Sequence, residues 1–153
     1  MGSTLKKGAI VGILCLICCF CSCTSADVQE CVSLCNNVIE NLGALVLTPD
    51  ENLIGIREKR DGYCGSYRVN CEEKSGKEIV FGGTSLEKRE RILSGTVQSS
   101  KGEVRIILQK GPQTIQIFPD ESGSIYREVT SFSSFYIRLE YEDFSGTVEL
   151  SLE

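Results

Sequence analysis

Residues 135–153 read FYIRLEYEDFSGTVELSLE. Phe135, Ile137, Leu139 and Tyr141 alternate with Tyr136, Arg138, Glu140 and Glu142, and Val148, Leu150 and Leu152 alternate with Glu149, Ser151 and Glu153. A period of two with one apolar flank is the pattern of a half-buried strand in an antiparallel sheet. The EDFSG between the two runs has turn composition.

Working back from there, further strand candidates are YRVNC (67–71), KEIVF (77–81), RILSGTVQS (91–99), EVRIILQ (103–109), TIQIF (114–118) and SIYREVT (124–130), with a brief strand expected over 53–58. SSKG, KGP, PDESG and SFSS separate them with turn residues. No helical stretch of 10–15 residues intervenes, which excludes βαβ units. Short strands at this spacing predict a mostly β chain, an antiparallel β-sandwich of about seven or eight strands over 44–153. TSLEKRER (84–91) has the spacing of a capping box, so a single helical turn there stands beside an extended edge.

Ahead of the strands, DVQECVSLCNNVIENL (27–42) places Val28, Cys31/Val32, Cys35, Val38/Ile39 and Leu42 at three- and four-residue spacing, predicting an amphipathic helix over 27–43 packed on the sandwich. Asp27 and Glu30 favour its N-terminal end, and Gly43 stands where a left-handed cap would fall. Before it, Lys6 and Lys7 precede the 13 apolar residues GAIVGILCLICCF (8–20), and no acid appears until Asp27. That is the pattern of an export leader over 1–26, the run being shorter than the roughly 20 residues a spanning helix needs. Thr24 and Ala26 allow cleavage before Asp27. FCSC (20–23) is similar to a bacterial lipobox, with Phe20 where an aliphatic residue is usual, and would make Cys23 an acylated first residue.

Of nine cysteines, Cys31, Cys35, Cys64 and Cys71 lie beyond the leader. An even set in an exported chain suggests disulfides, with links from helix to sheet favoured over local ones and free buried thiols as the alternative. Residues 27–153 hold 14 basic and 21 acidic side chains, a net of −7. Such a body does not suit nucleic acid, and its densest basic cluster, EKRER (87–91), is interleaved with acids.

The chain has no histidine. This removes Ser-His-Asp and Cys-His catalysis and histidine-bearing metal sites, and leaves the thiol of YCGSY (63–67) without its usual base. The cysteine spacing does not fit a zinc knuckle. FGGTS (81–85) lacks the lysine and the βαβ setting of a phosphate loop. Asp120, Glu121, Glu142 and Asp143 are the calcium candidates, set against a reading as surface acids on turns. Phe132, Phe135, Tyr136, Tyr141 and Phe144 form an aromatic cluster that either lines a surface or fills the core. EKRDG (58–62) offers a dibasic processing site or an exposed loop.

The tracts CEEKSGKEIVFGGTSLEKRERILSGTVQSSKGEVRI and FYIRLEYEDFSGTVELSLE, with their FGG break and YEDFSGTVEL ending, resemble small, uncharacterised lipoproteins of Gram-positive gut-type bacteria. The resemblance implies a lipid-anchored extracytoplasmic sandwich with the lipidated cysteine at Cys23. The expected function is an exported cell-surface accessory or binding protein without catalytic activity or cofactor, held to the membrane by lipid and meeting a protein or envelope partner. The alternatives are a freely secreted effector or ligand, and a carboxylate- or calcium-dependent enzyme or binding module.

Overall fold

The computed structural model describes residues 25–153 apart from 62, 87, 132 and 133. Helix α1 spans Ser25–Ala44, and a short 3-10 turn covers Asp50–Asn52. Six strands follow: β1 (Ile56–Lys59), β2 (Gly65–Gly83), β3 (Arg89–Lys110), β4 (Gln113–Ile117), β5 (Ser124–Ser131) and β6 (Phe135–Leu152). All pairings are antiparallel, in one sheet ordered β1-β2-β6-β3-β4, with β5 beside β4 on the same edge of β3. Among the described residues the chain is thus mostly β with one helix ahead of the strands, as its alternation predicts. It divides after Cys35 into two compact units, the boundary falling within α1.

The strand count differs from expectation for a physical reason. β2, β3 and β6 each join two predicted strands, and they bend at 99–102 and 142–146, where turns are expected, and at 72–76, which lies between two predicted strands. Register shifts fall between Cys71 and Gly76 on β2 and between Ser99 and Glu103 on β3, so the irregularities line up across three neighbouring strands as a crease. Glu73, Asp143 and Gly102 have positive φ there, at 50°, 46° and 68°. Serines take up backbone groups that such bulges leave unpaired. Ser145 Oγ accepts from the Glu73 N–H (2.9 Å), Ser75 Oγ accepts from the Asp143 N–H (2.9 Å), and Ser100 Oγ donates to the Ser145 carbonyl (3.0 Å).

The crease brings the two ends of each long strand together over one core. Tyr67 and Glu78 lie 11 residues apart on β2 yet share a hydrogen bond. A straight strand would hold them about 36 Å apart at ~3.3 Å per residue. The core accordingly mixes both halves: Val69, Leu93, Val148 and Leu152 from one side of the crease, Phe81, Ile106, Leu108 and Ile137 from the other.

Beyond β1, the edge of β2 is closed by side chains. Thr48 donates its N–H to the Ile79 carbonyl (3.1 Å) and accepts the Ile79 N–H on Oγ1 (2.8 Å). Arg57, its side chain only 2% exposed, donates to the carbonyls of Thr48 (2.8 Å) and Val80 (3.1 Å) and pairs with Asp50. An edge satisfied in this way no longer invites another strand.

The helix departs from expectation in the face it packs. Within the larger unit Asn36 and Gly43 are buried, whereas Val38 and Leu42 are 59% and 60% exposed. The segment after β2 presents polar backbone, and polar or small residues meet it. Asn36 Oδ1 accepts the Leu86 N–H (2.9 Å), Glu40 pairs with Arg89 (2.6 Å), and the Gly43 carbonyl accepts from the Tyr136 hydroxyl (3.2 Å). Gly43 is not a cap, since α1 runs on to Ala44. It is a point of close approach, where a Cβ would stand 2.5 Å from the Thr84 nitrogen. The helical turn considered for 84–91 gives way to β3 from Arg89. The leader and Cys23 lie outside the described residues.

Candidate functional site

Glu78 occupies an inward position of β2, paired with Leu139, and is 1% exposed. A carboxyl group there is tolerable only with donors around it. Oε1 accepts from the hydroxyls of Tyr67 and Tyr141 (the latter at 2.7 Å), and Oε2 accepts the Ile54 N–H at 2.8 Å. The two tyrosine oxygens are 3.2 Å apart, closing the network. Among the described residues no basic side chain forms an ion pair with Glu78, so these donors carry its stabilisation.

Burial pushes the Tyr67 and Tyr141 hydroxyls well above the ordinary tyrosine value, and the hydrogen bonds to Glu78 add to it. Tyr63, buried and near the Glu40 charge, is pushed up to about 12. Below pH 10 both folded and unfolded chains keep these protons and stability is intact. Above it only the unfolded chain releases them, so stability falls as pH rises, by at most about 1.4 kcal/mol per pH unit for each tyrosine. Urea midpoints measured from pH 9 to 11 should therefore drop less steeply for Tyr141→Phe than for the parent chain. Equal slopes would show that the folded state does not hold the Tyr141 proton.

Through the Ile54 N–H the buried acid reaches the surface. Ile54, Gly55 and Ile56 form one wall of a cleft of about 810 Å³ on the outer face of the sheet. Its floor takes outward residues of three strands, among them Arg68 and Asn70 of β2, Thr96 of β3 and Glu149 of β6. Arg68 and Glu149 bridge at 3.0 Å, and neighbouring Ser66, Ser94 and Ser151 add hydroxyls. The alternation that buries Tyr67 and Val69 is what turns Ser66, Arg68 and Asn70 into this groove. The site is a polar floor with an apolar wall, and that wall is tied to the core by one carboxyl group.

The structure separates most of the predicted site residues. Cys31 and Cys35 are half-buried, Cys64 and Cys71 are buried, and all four stand as free thiols, without the expected helix-to-sheet staples. Gly65–Cys71 runs as uninterrupted strand, which sets Cys64 and Cys71 roughly 23 Å apart, beyond disulfide reach. Burial pushes both of these thiols up, assisted by the charge of Asp61 at Cys64 and of Glu78 at Cys71.

Among the described residues no three His, Cys, Asp or Glu side chains gather where they could hold a metal ion. Asp120 accepts from Ser122 and from the Ser124 N–H within its own turn, and Glu121 is exposed beside it. Glu142 pairs with Arg105 (2.6 Å), and Asp143 accepts from the Ser75 hydroxyl (3.0 Å).

Phe135, Tyr136, Tyr141 and Phe144 are core residues, while Phe132 lies outside the described set. In the 87–91 cluster Arg89 is paired with Glu40, Arg91 with Asp61 (3.6 Å) and Lys88 with Glu90. Gly83 of FGGTS packs against the Tyr63 ring. Sequence reasoning missed Glu78 and Arg57. The available signal for Glu78 was parity, because any register of KEIVF that buries Val80 also turns Glu78 inward. No family model matches the chain, and no curated protein matches it.

Proposed function

We propose that this chain is an exported, lipid-anchored binding protein of the cell surface, acylated at Cys23, that uses the outer groove of its bent sheet without catalysis. The single bent sheet is read as the equivalent of a sandwich, its two halves face to face over one core. The groove carries the binding part of the proposal. It is preformed, its wall is fixed to Glu78, and its charged pair, Arg68 with Glu149, is mutually neutralised. Hydroxyl and amide groups around such a pair, beside the Ile54 and Ile56 wall, suit a ligand that is part polar and part apolar. The anchoring part rests on the basic, apolar and Ser22-Cys23 order of the leader.

Two measurements test it. Mass spectrometry of the mature N-terminus should find a diacylglyceryl Cys23, and a free Asp27 terminus would make the protein a secreted one instead. The parent chain should be retained on envelope preparations from its own cells. Thr96→Trp, an outward floor position of β3, should release it without changing its circular dichroism. Retention unaffected by this substitution would remove the groove from the binding surface.

A further inference from the structure

One apolar flank of α1 is a regular seam. Val28, Cys31, Cys35, Val38 and Leu42 follow one another at spacings of three and four residues. This is the a/d repeat by which two helices interlock. Val28, Val38 and Leu42 are exposed, by up to 60% at Leu42, and Cys31 and Cys35 are half-buried free thiols. From Asn36 onward the helix meets the β domain through Asn36, Glu40 and Gly43 instead. We propose that this flank pairs two copies of the chain, helix against helix and parallel.

Charge selects a second copy over the other occupants. α1 holds Asp27, Glu30 and Glu40 and no basic residue, so an anionic bilayer repels it, unlike the Lys- and Arg-rich helices that lie on membranes. The positions flanking the seam between its ends, Val32, Leu34, Ile39 and Asn41, carry no charge that would set like against like between copies. Glu30 and Glu40 fall outside them.

The chain outside the described residues sets the direction. It ends at position 24, next to the helix, and Cys23 stands two residues before Ser25. Two copies anchored through Cys23 start their helices from one plane and point the same way, and sharing a surface raises their effective concentration. The parallel sense thus rests on the anchoring proposed above, whereas pairing itself does not. In parallel register Cys31 faces Cys31 of the other copy, and Cys35 faces Cys35.

The test uses the full chain in mild detergent. Sedimentation velocity should give a dimer, and Leu42→Glu, at an exposed position, should weaken it by about tenfold or more with unchanged circular dichroism. Added glutathione disulfide should convert facing thiols of the two copies into one disulfide, the oxidant leaving as two glutathione thiols. The cross-linked dimer should be absent from the Cys31→Ser/Cys35→Ser variant on non-reducing gels. A monomer throughout, a dimer indifferent to Leu42→Glu, or a cross-link that survives loss of both cysteines would overturn the proposal. A Leu42-dependent dimer without a cross-link would overturn its parallel sense. Mass spectrometry of the N-terminus in the same sample reports on anchoring separately, so failure of the anchor is distinguishable from failure of pairing.

Discussion

Glu78→Ala should destabilise the β domain by about 3–5 kcal/mol, read as a shift of the urea midpoint at neutral pH. The substitution deletes the acceptor of three donors, the Tyr67 and Tyr141 hydroxyls and the Ile54 N–H. The tyrosines can still bond to each other, but the Ile54 N–H is left without a partner, and a cavity opens beside Leu139. Glu78→Gln keeps the volume and one carbonyl oxygen, so a smaller loss of about 1–2 kcal/mol is expected from the weaker, uncharged hydrogen bonds. Combining Glu78→Leu with Tyr67→Phe and Tyr141→Phe removes acceptor and hydroxyls together. Because replacing both partners leaves little unpaired, the triple variant should be more stable than Glu78→Ala alone. A loss below about 1 kcal/mol for Glu78→Ala would show that the network does not hold the core.

Gly102→Val should be comparably damaging, with a loss of about 3–5 kcal/mol and a melting temperature lower by on the order of 15 °C. Gly102 has φ +68° in the crease, and a Cβ there would stand 2.3 Å from the Asp143 carbonyl oxygen and 2.4 Å from that of Glu142. Both carbonyls belong to the bulged stretch of β6, so relief requires the crease itself to open. Gly111→Ala provides the comparison. Its φ is +54° with nothing within 4 Å of the added atom, so it isolates backbone strain at about 1–2 kcal/mol. Equal effects of the two substitutions would mean that the close approach in the crease is not what Gly102 serves.

Strand existence was legible in the sequence because alternation is local. Tyr67, Val69 and Cys71 face in, and the pattern needs no partner to be read. Continuity was not legible. SSKG and EDFSG carry the composition of hairpin turns, and nothing within them tells a chain reversal from a bulge that bends a strand. The difference lies in Ser145 and Ser75, whose hydroxyls are matched to backbone groups on a neighbouring strand about 70 positions away. Apolar periodicity identified α1 but misjudged its packing face, because the segment it meets offers the Leu86 N–H and Arg89 rather than apolar surface. The groove was readable only in part. Ser66, Arg68 and Asn70 show their outward parity, whereas Ile54 joins them through Glu78, a link that depends on the fold.

The position of β6 between β2 and β3 has a kinetic consequence. β2 and β3 pair with it along most of their length and not with each other. The strand that joins them is therefore synthesised after both. Gly65 must wait for Leu152, 87 residues later, before its row of the sheet can close. Contacts of that separation fold slowly, since loop closure precedes any gain from pairing. Until β6 emerges, β2 and β3 lack their shared partner and have only the local β1–β2, β3–β4 and β3–β5 pairings to close. The rows at the centre of the sheet therefore close last, and until then the apolar flanks of both long strands stay open to wrong pairing.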